Sequence, residues 1–263
     1  MVWFKTALSD KKGKRILHVT KSQTNTSFLK PNKDLLSQFQ WSPNEPITDH
    51  DILKDVEVDC DSLDAILSSQ NIQPDFIKLD TQGSELDILK GADSALRKSV
   101  LTAEIEVEFA PIYENQPLFA DIDAFMRERG FILQDMGNFL YMKPRGLAGV
   151  GGAKGRVISA DALYIKDLSN NLKNLCAYGE NKVYAAIVGY LAYGYPELGI
   201  NLLQRMKSEK CDVKNSDEII NILRKFKTAS NFPGSTQMSQ ICKKFWLKHR
   251  KVEHCLWDVP LGN

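Results

Sequence analysis

Between Pro74 and Gly91 the hydrophobic pattern changes its period. A short apolar run through Phe76, Ile77 and Leu79 stops at Asp80, and a turn containing Gly83 follows. From there Leu86, Leu89 and Ala92 recur at helical spacing. Strand, tight turn and helix make the βα unit of an open parallel sheet. One helix later a second apolar run, Val100 to Phe109, predicts another strand. Glu104, Glu106 and Glu108 alternate in it with Ile105, Val107 and Phe109. A mid-sheet strand is ordinarily apolar on both faces, so three acids on one face stand out. Ligands of such sheets bind beyond the carboxyl ends of the strands, where Asp80 and Glu85 fall.

The remaining pattern predicts an α/β sheet domain followed by helices. Val2 to Leu8 reads as a strand with Arg15 to Thr20 as its hairpin partner across the turn Ser9 to Gly13. Residues 21–50 hold three prolines among many small polar residues and read as a long loop with one helical turn near Leu35. Val56 to Cys60 is a strand, and Ser62 to Ser68 a helix with Asp61 at its N-cap. Phe119 to Arg129 is an amphipathic helix stopped at Gly130. Phe131 to Asp135 and Ala162 to Ile165 complete the sheet. Beyond that point Ala, Leu and Tyr recur at helical spacing, up to about Met206 and again from Ser216 to Phe226. The expected organisation is a sheet domain over residues 1–168 and a small all-helical appendage over residues 169–263.

Composition narrows the function without naming it. A chain of 263 residues, 43% hydrophobic and 25% charged, can bury one good core and a small appendage. A formal net charge of +1 gives no bulk attraction to nucleic acid or to an anionic membrane. No apolar run approaches the ~20 residues of a membrane span. The five cysteines, Cys60, Cys176, Cys211, Cys242 and Cys255, form no Cys-x-x-Cys pair and read as reduced thiols of a cytoplasmic protein.

Asp80 has two readings at this stage: a general base facing the ligand cleft, or an N-cap for the helix that starts near Ser84. Glu85 lies in the first turn of that helix, where the dipole favours a carboxylate, so a structural role stands beside a substrate contact. Glu106 and Glu108 either line the cleft with Asp80 or belong to a face open to solvent. Such acids suit a hard divalent cation, but spacing does not establish coordination and no metal is assigned. Gly149-Val-Gly-Gly-Ala-Lys-Gly155 is not a nucleotide loop, because it precedes a strand rather than joining a strand to a helix. Lys243, Lys244, Lys248, Arg250 and Lys251, with Phe245 and Trp246, read as a solvated helix face. His249, His254 and Cys255 lack zinc-ligand spacing.

Ile77-Lys-Leu-Asp-Thr-Gln-Gly-Ser-Glu85, Glu106-Val-Glu-Phe109 and Tyr113-Glu-Asn-Gln-Pro-Leu-Phe119, in this order, resemble the FkbM-type S-adenosylmethionine-dependent methyltransferases. The resemblance runs from about Thr6 to about Asp167. It implies a partial class I methyltransferase fold, a Rossmann-like sheet whose counterpart here begins at the third strand. It also implies S-adenosylmethionine as cofactor and O-methylation of a hydroxyl on a saccharide or secondary-metabolite acceptor. Asp80, Glu106 and Glu108 would be the catalytic set, and Glu85, Tyr113 and Gln116 would shape the acceptor pocket. Ala7 and Leu8 would lie beside the adenine. Without a glycine loop after a first strand, this chain alone is expected to bind the cofactor weakly, and the Phe76–Asp80 strand to carry an unpaired edge. The alternative function is a non-catalytic scaffold that recruits a protein partner through the helical tail.

Overall fold

A computed structural model describes residues 3–42, 45–146, 155–168, 179–211 and 213–226. The chain divides into two compact units, Met1–Asp167 and Leu168–Asn263. The first unit is mixed α/β. It opens with β1 (Ala7–Ser9) and β2 (Gly13–Thr20), a single 3-10 turn at Gln23–Asn25, α1 (Lys33–Leu36), β3 (Phe39–Ser42) and β4 (Glu45–Pro46). There follow β5 (Ile52–Ser62), α2 (Leu63–Ser69), β6 (Phe76–Leu79), α3 (Glu85–Lys90), α4 (Asp93–Lys98) and β7 (Thr102–Glu108). The unit closes with α5 (Phe119–Glu128), β8 (Phe131–Pro144) and β9 (Arg156–Lys166).

These strands build two sheets, ordered β1-β5-β2 and β4-β3-β8-β9-β7-β6. The pairs β1/β5 and β6/β7 are parallel, and β9 lies antiparallel between β7 and β8. Strand alternation sends Ala103, Ile105 and Val107, all 0% exposed, into the main core with Ile88, Leu89, Leu96, Ile122 and Met126 from the helices. Glu104, Glu106 and Glu108 therefore project from the opposite face. Register aligns Lys78 with Glu104 and Asp161 with Glu106, and Lys78 forms an ion pair with Glu104.

Several expectations change. The first strand is confined to Ala7–Ser9, because Trp3 and Phe4 are 69% and 41% exposed and find no apolar cover. Its neighbour is β5, through Ala7–Cys60 and Leu8–Asp61. β2 pairs with β5 along Gly13–Thr20 and not with β1, so the expected hairpin does not form. Ser62, not Asp61, caps α2: its Oγ accepts from the Ala65 amide at 3.3 Å, while the Asp61 carboxylate accepts from the Ser62 amide at 2.8 Å. The helix after β6 breaks at Gly91 into α3 and α4, and Asp64 of α2 caps the second piece by accepting from the amides of Ser94 and Ala95 at 2.7 and 2.9 Å. β8 and β9 are much longer than the apolar runs that announce them. Among the described residues β6 pairs only with β7 and forms the sheet's edge. Gly130, at φ 77°, ends α5 as the sequence pattern requires.

The described part of the second unit consists of α6 (Glu180–Ala192), α7 (Pro196–Ser208) and α8 (Ser216–Leu223). Val183, Ile187, Leu202, Leu203, Ile220 and Leu223 are buried. The Glu180 carboxylate accepts from the Lys214 amide at 2.6 Å and the Tyr184 hydroxyl donates to the Lys214 carbonyl at 3.0 Å, which ties α6 to the turn before α8. Cys60 is free and buried, whereas Cys211 is disulfide-bonded, which corrects the expectation that every cysteine is a reduced thiol. The glycine segment 149–154 and the basic, aromatic and histidine cluster of residues 243–255 lie outside the described residues.

Candidate active site at the end of the parallel pair

The carboxyl end of β6 runs through the turn Thr81-Gln82-Gly83 into α3, beside the carboxyl end of its parallel neighbour β7. Two consecutive residues there have positive φ, Gln82 at 58° and Gly83 at 97°. Glycine suits the second position doubly, since a Cβ would come 2.9 Å from Gln116 Nε2 and 3.1 Å from a Leu29 methyl. The turn directs the Gln82 side chain over the end of β7. Its Nε2 donates to Glu106 Oε2 at 2.9 Å and lies 3.4 Å from Asp80 Oδ1. Its Oε1 accepts from the Tyr113 hydroxyl at 3.1 Å, and that hydroxyl also lies 2.9 Å from the Asn25 carbonyl. One amide thus draws Asp80 and Glu106 together.

Exposure falls steeply along this set. Asp80 is exposed, Gln82 and Glu106 are half-buried, and Glu85 and Glu108 are each 1% exposed. Burial, then the nearby charges of Asp80 and Glu85, push the Glu106 carboxyl up to about 8. Burial, then Glu85 and Glu106, holds the Glu108 carboxyl well above the usual range. Burial also raises Glu85, against hydrogen bonds that favour its charged form. Burial thus favours the protonated form of all three carboxyls, and Glu106 keeps its proton at neutral pH.

The three expected acceptor contacts lie inside the protein. The Glu85 carboxylate accepts from the Thr81 amide and hydroxyl at 2.7 and 2.9 Å. Tyr113 is 0% exposed, and burial raises its hydroxyl far above the ordinary phenolic value. Gln116 Oε1 accepts from the Tyr113 amide at 3.1 Å. Among the described residues neither its Nε2 nor Glu108 Oε2 meets the geometric limits of a hydrogen bond, though the Gln116 amide lies near enough to the Glu108 carboxyl to favour its charged form. Asp80 does not cap α3: Ser84 holds that position, without a side-chain cap. Ala7 and Leu8 stand on β1, where Leu8 packs against the main core. Sequence reasoning passed over Gln82, Asn25 and Thr81. A non-glycine residue just before Gly83 in so tight a turn was the available signal.

Residues 4–133 match the family described as "Methyltransferase FkbM domain". That stretch belongs to the FkbM methyltransferase family. The FkbM domain implies a Rossmann-like fold, and the match contains every site residue described above. Methyltransferases of this kind generally use S-adenosylmethionine. No curated protein and no solved structure matches the chain. Among the described residues no group of three or more His, Cys, Asp or Glu is placed to hold a metal ion, and no helix is long and apolar enough to cross a membrane.

Proposed function

We propose that this protein is an S-adenosylmethionine-dependent O-methyltransferase whose acceptor is a hydroxyl of a saccharide or secondary metabolite. In this reading residues 1–168 carry the chemistry and residues 169–263 form a separate helical unit. The observation that carries it is the meeting of Asp80 and Glu106 on one Gln82 amide, at the strand end where this architecture binds ligands.

The cofactor supplies a methyl carbon made electrophilic by a positively charged sulfur. The acidic donor set fits that cationic end. For the nucleoside, Ala7 and Leu8 offer only backbone and aliphatic surface, so binding by this chain is weak. Asp80, the solvent-exposed member of the pair, meets an acceptor hydroxyl first and takes its proton as the oxygen's lone pair is committed to the new bond. Glu106, which holds its own proton to about pH 8, does not compete for it. Glu108 lies deeper, where burial and the neighbouring acids Glu85 and Glu106 favour its own protonated form.

Transfer of a radiolabelled methyl group from S-adenosylmethionine to a panel of sugars and hydroxylated metabolites tests this. Label in an acceptor with the wild-type chain, lost with Asp80→Asn, supports the reading. Undiminished transfer by the Asp80→Asn variant removes Asp80 from the chemistry.

A further inference from the structure

Gln82 is one of six described non-glycine residues with left-handed φ, and four of the other five are asparagines, which tolerate it. Left-handed φ is disfavoured for a residue with a Cβ, and glycine would fill the position without strain. The conformation is held from outside the turn: Ser27 Oγ donates to the Gln82 carbonyl at 2.6 Å and is itself fixed by accepting from the Leu29 amide at 3.0 Å. Ser27 is 1% exposed, so this support is locked in the interior. A turn that needed only closure would not retain a long side chain in this geometry; backbone strain kept by surrounding structure marks a functional position.

The side chain has a defined orientation. Asp80 and the unprotonated oxygen of Glu106 are acceptors, so the amide nitrogen faces them, and the amide oxygen is left for the Tyr113 hydroxyl. The groups facing Glu106 are Asp80 from the end of β6, Glu85 from α3 and Asp161 from β9, all acidic, with Glu108 on its own strand and the Tyr113 hydroxyl from the following loop. Against this uniformly repulsive surrounding the Gln82 amide is the donor that hydrogen-bonds to Glu106.

We propose that Gln82 is a positioning residue of the acidic site, its carboxamide clamping Glu106 beside Asp80 and holding the Tyr113 hydroxyl apart from both. The clamp rests on the proposed function only for its catalytic consequence; its effect on Glu106 is measurable without any acceptor.

The test is a carbon-13 titration of the glutamate carboxyls in the full chain, with the Glu106 signal assigned by its loss in Glu106→Gln. Donation from an amide favours the charged carboxylate, so removing it in Gln82→Leu raises the Glu106 midpoint by about one pH unit. Gln82→Gly raises it similarly while relieving the turn, and decides the matter if the leucine variant does not fold. An unmoved midpoint in Gln82→Gly overturns the proposal. A shifted midpoint in a chain that transfers no methyl group leaves the clamp standing and removes the enzymatic reading instead.

Discussion

The Glu85 carboxylate reaches back across the turn to Thr81 and accepts from both its amide and its hydroxyl, at 2.7 and 2.9 Å. This contact joins the end of β6 to the start of α3 and fixes the turn that carries Gln82. The chemistry of the site therefore depends on an acid that is itself inside the protein.

Glu85→Ala removes a buried acceptor of two hydrogen bonds and leaves the Thr81 donors unsatisfied, so it lowers stability by about 2–4 kcal/mol. Thr81→Val removes only the hydroxyl and costs about 1 kcal/mol. Guanidinium unfolding followed by circular dichroism checks both. Equal effects of the two substitutions would show that the carboxylate's burial, not its bonds, governs the turn.

Raised carboxyl groups give the domain a pH dependence of defined sign. Glu106 moves from an ordinary 4.5 to about 8, so between those values the folded protein binds more protons than the unfolded chain. Its contribution is fully present below pH 4.5 and is lost as pH rises through about 8. Glu108 and Glu85 are raised too and act in the same direction. The melting temperature falls from pH 5 to pH 8, and Glu106→Gln reduces that slope and is more stable than wild type at pH 8. A slope unchanged by the substitution would assign the dependence to the other carboxyls.

Gly91 lies directly against the end of β1. A Cβ there would lie 2.2 Å from the Ser9 carbonyl oxygen, a backbone atom with no rotamer to yield. Gly91→Ala forces β1 from the break between α3 and α4 and costs about 3 kcal/mol. Hydrogen exchange locates the damage: the amides of Ala7–Ser9 lose protection before those of β7.

The parts of this architecture that were legible in the sequence were those decided by local period. Ile77 and Leu79 before Asp80, the alternation of Glu104, Glu106 and Glu108, and Gly130 after α5 each specify an element through neighbours a few residues away. Pairing was not legible in the same way. β2 prefers β5, about forty residues distant, because Leu17, Ile16 and Lys14 find Val56, Glu57 and Asp59 opposite them, whereas Val2–Leu8 offers two exposed aromatics. The site divides along the same line. The acids were found from strand ends, but nothing in the spacing of Tyr113 and Gln116 revealed that both are interior residues. Gln82 was hidden because its role follows from a left-handed backbone held by Ser27, a contact across 55 residues.

Asp80→Asn separates chemistry from scaffold. Asp80 is exposed, does not cap α3, and meets Gln82 at 3.4 Å beside Glu106, so stability changes by no more than about 1 kcal/mol. If Asp80 takes the acceptor proton, the same substitution lowers the methyl-transfer rate by about 10²–10⁴-fold, the range over which a positioned base acts. The acceptor's KM changes little, since asparagine retains an oxygen able to accept from its hydroxyl. Melting temperature and initial rate measured on one preparation decide the point. A rate loss accompanied by an equal loss of folded protein would make Asp80 structural, whereas full activity would move the base to another residue.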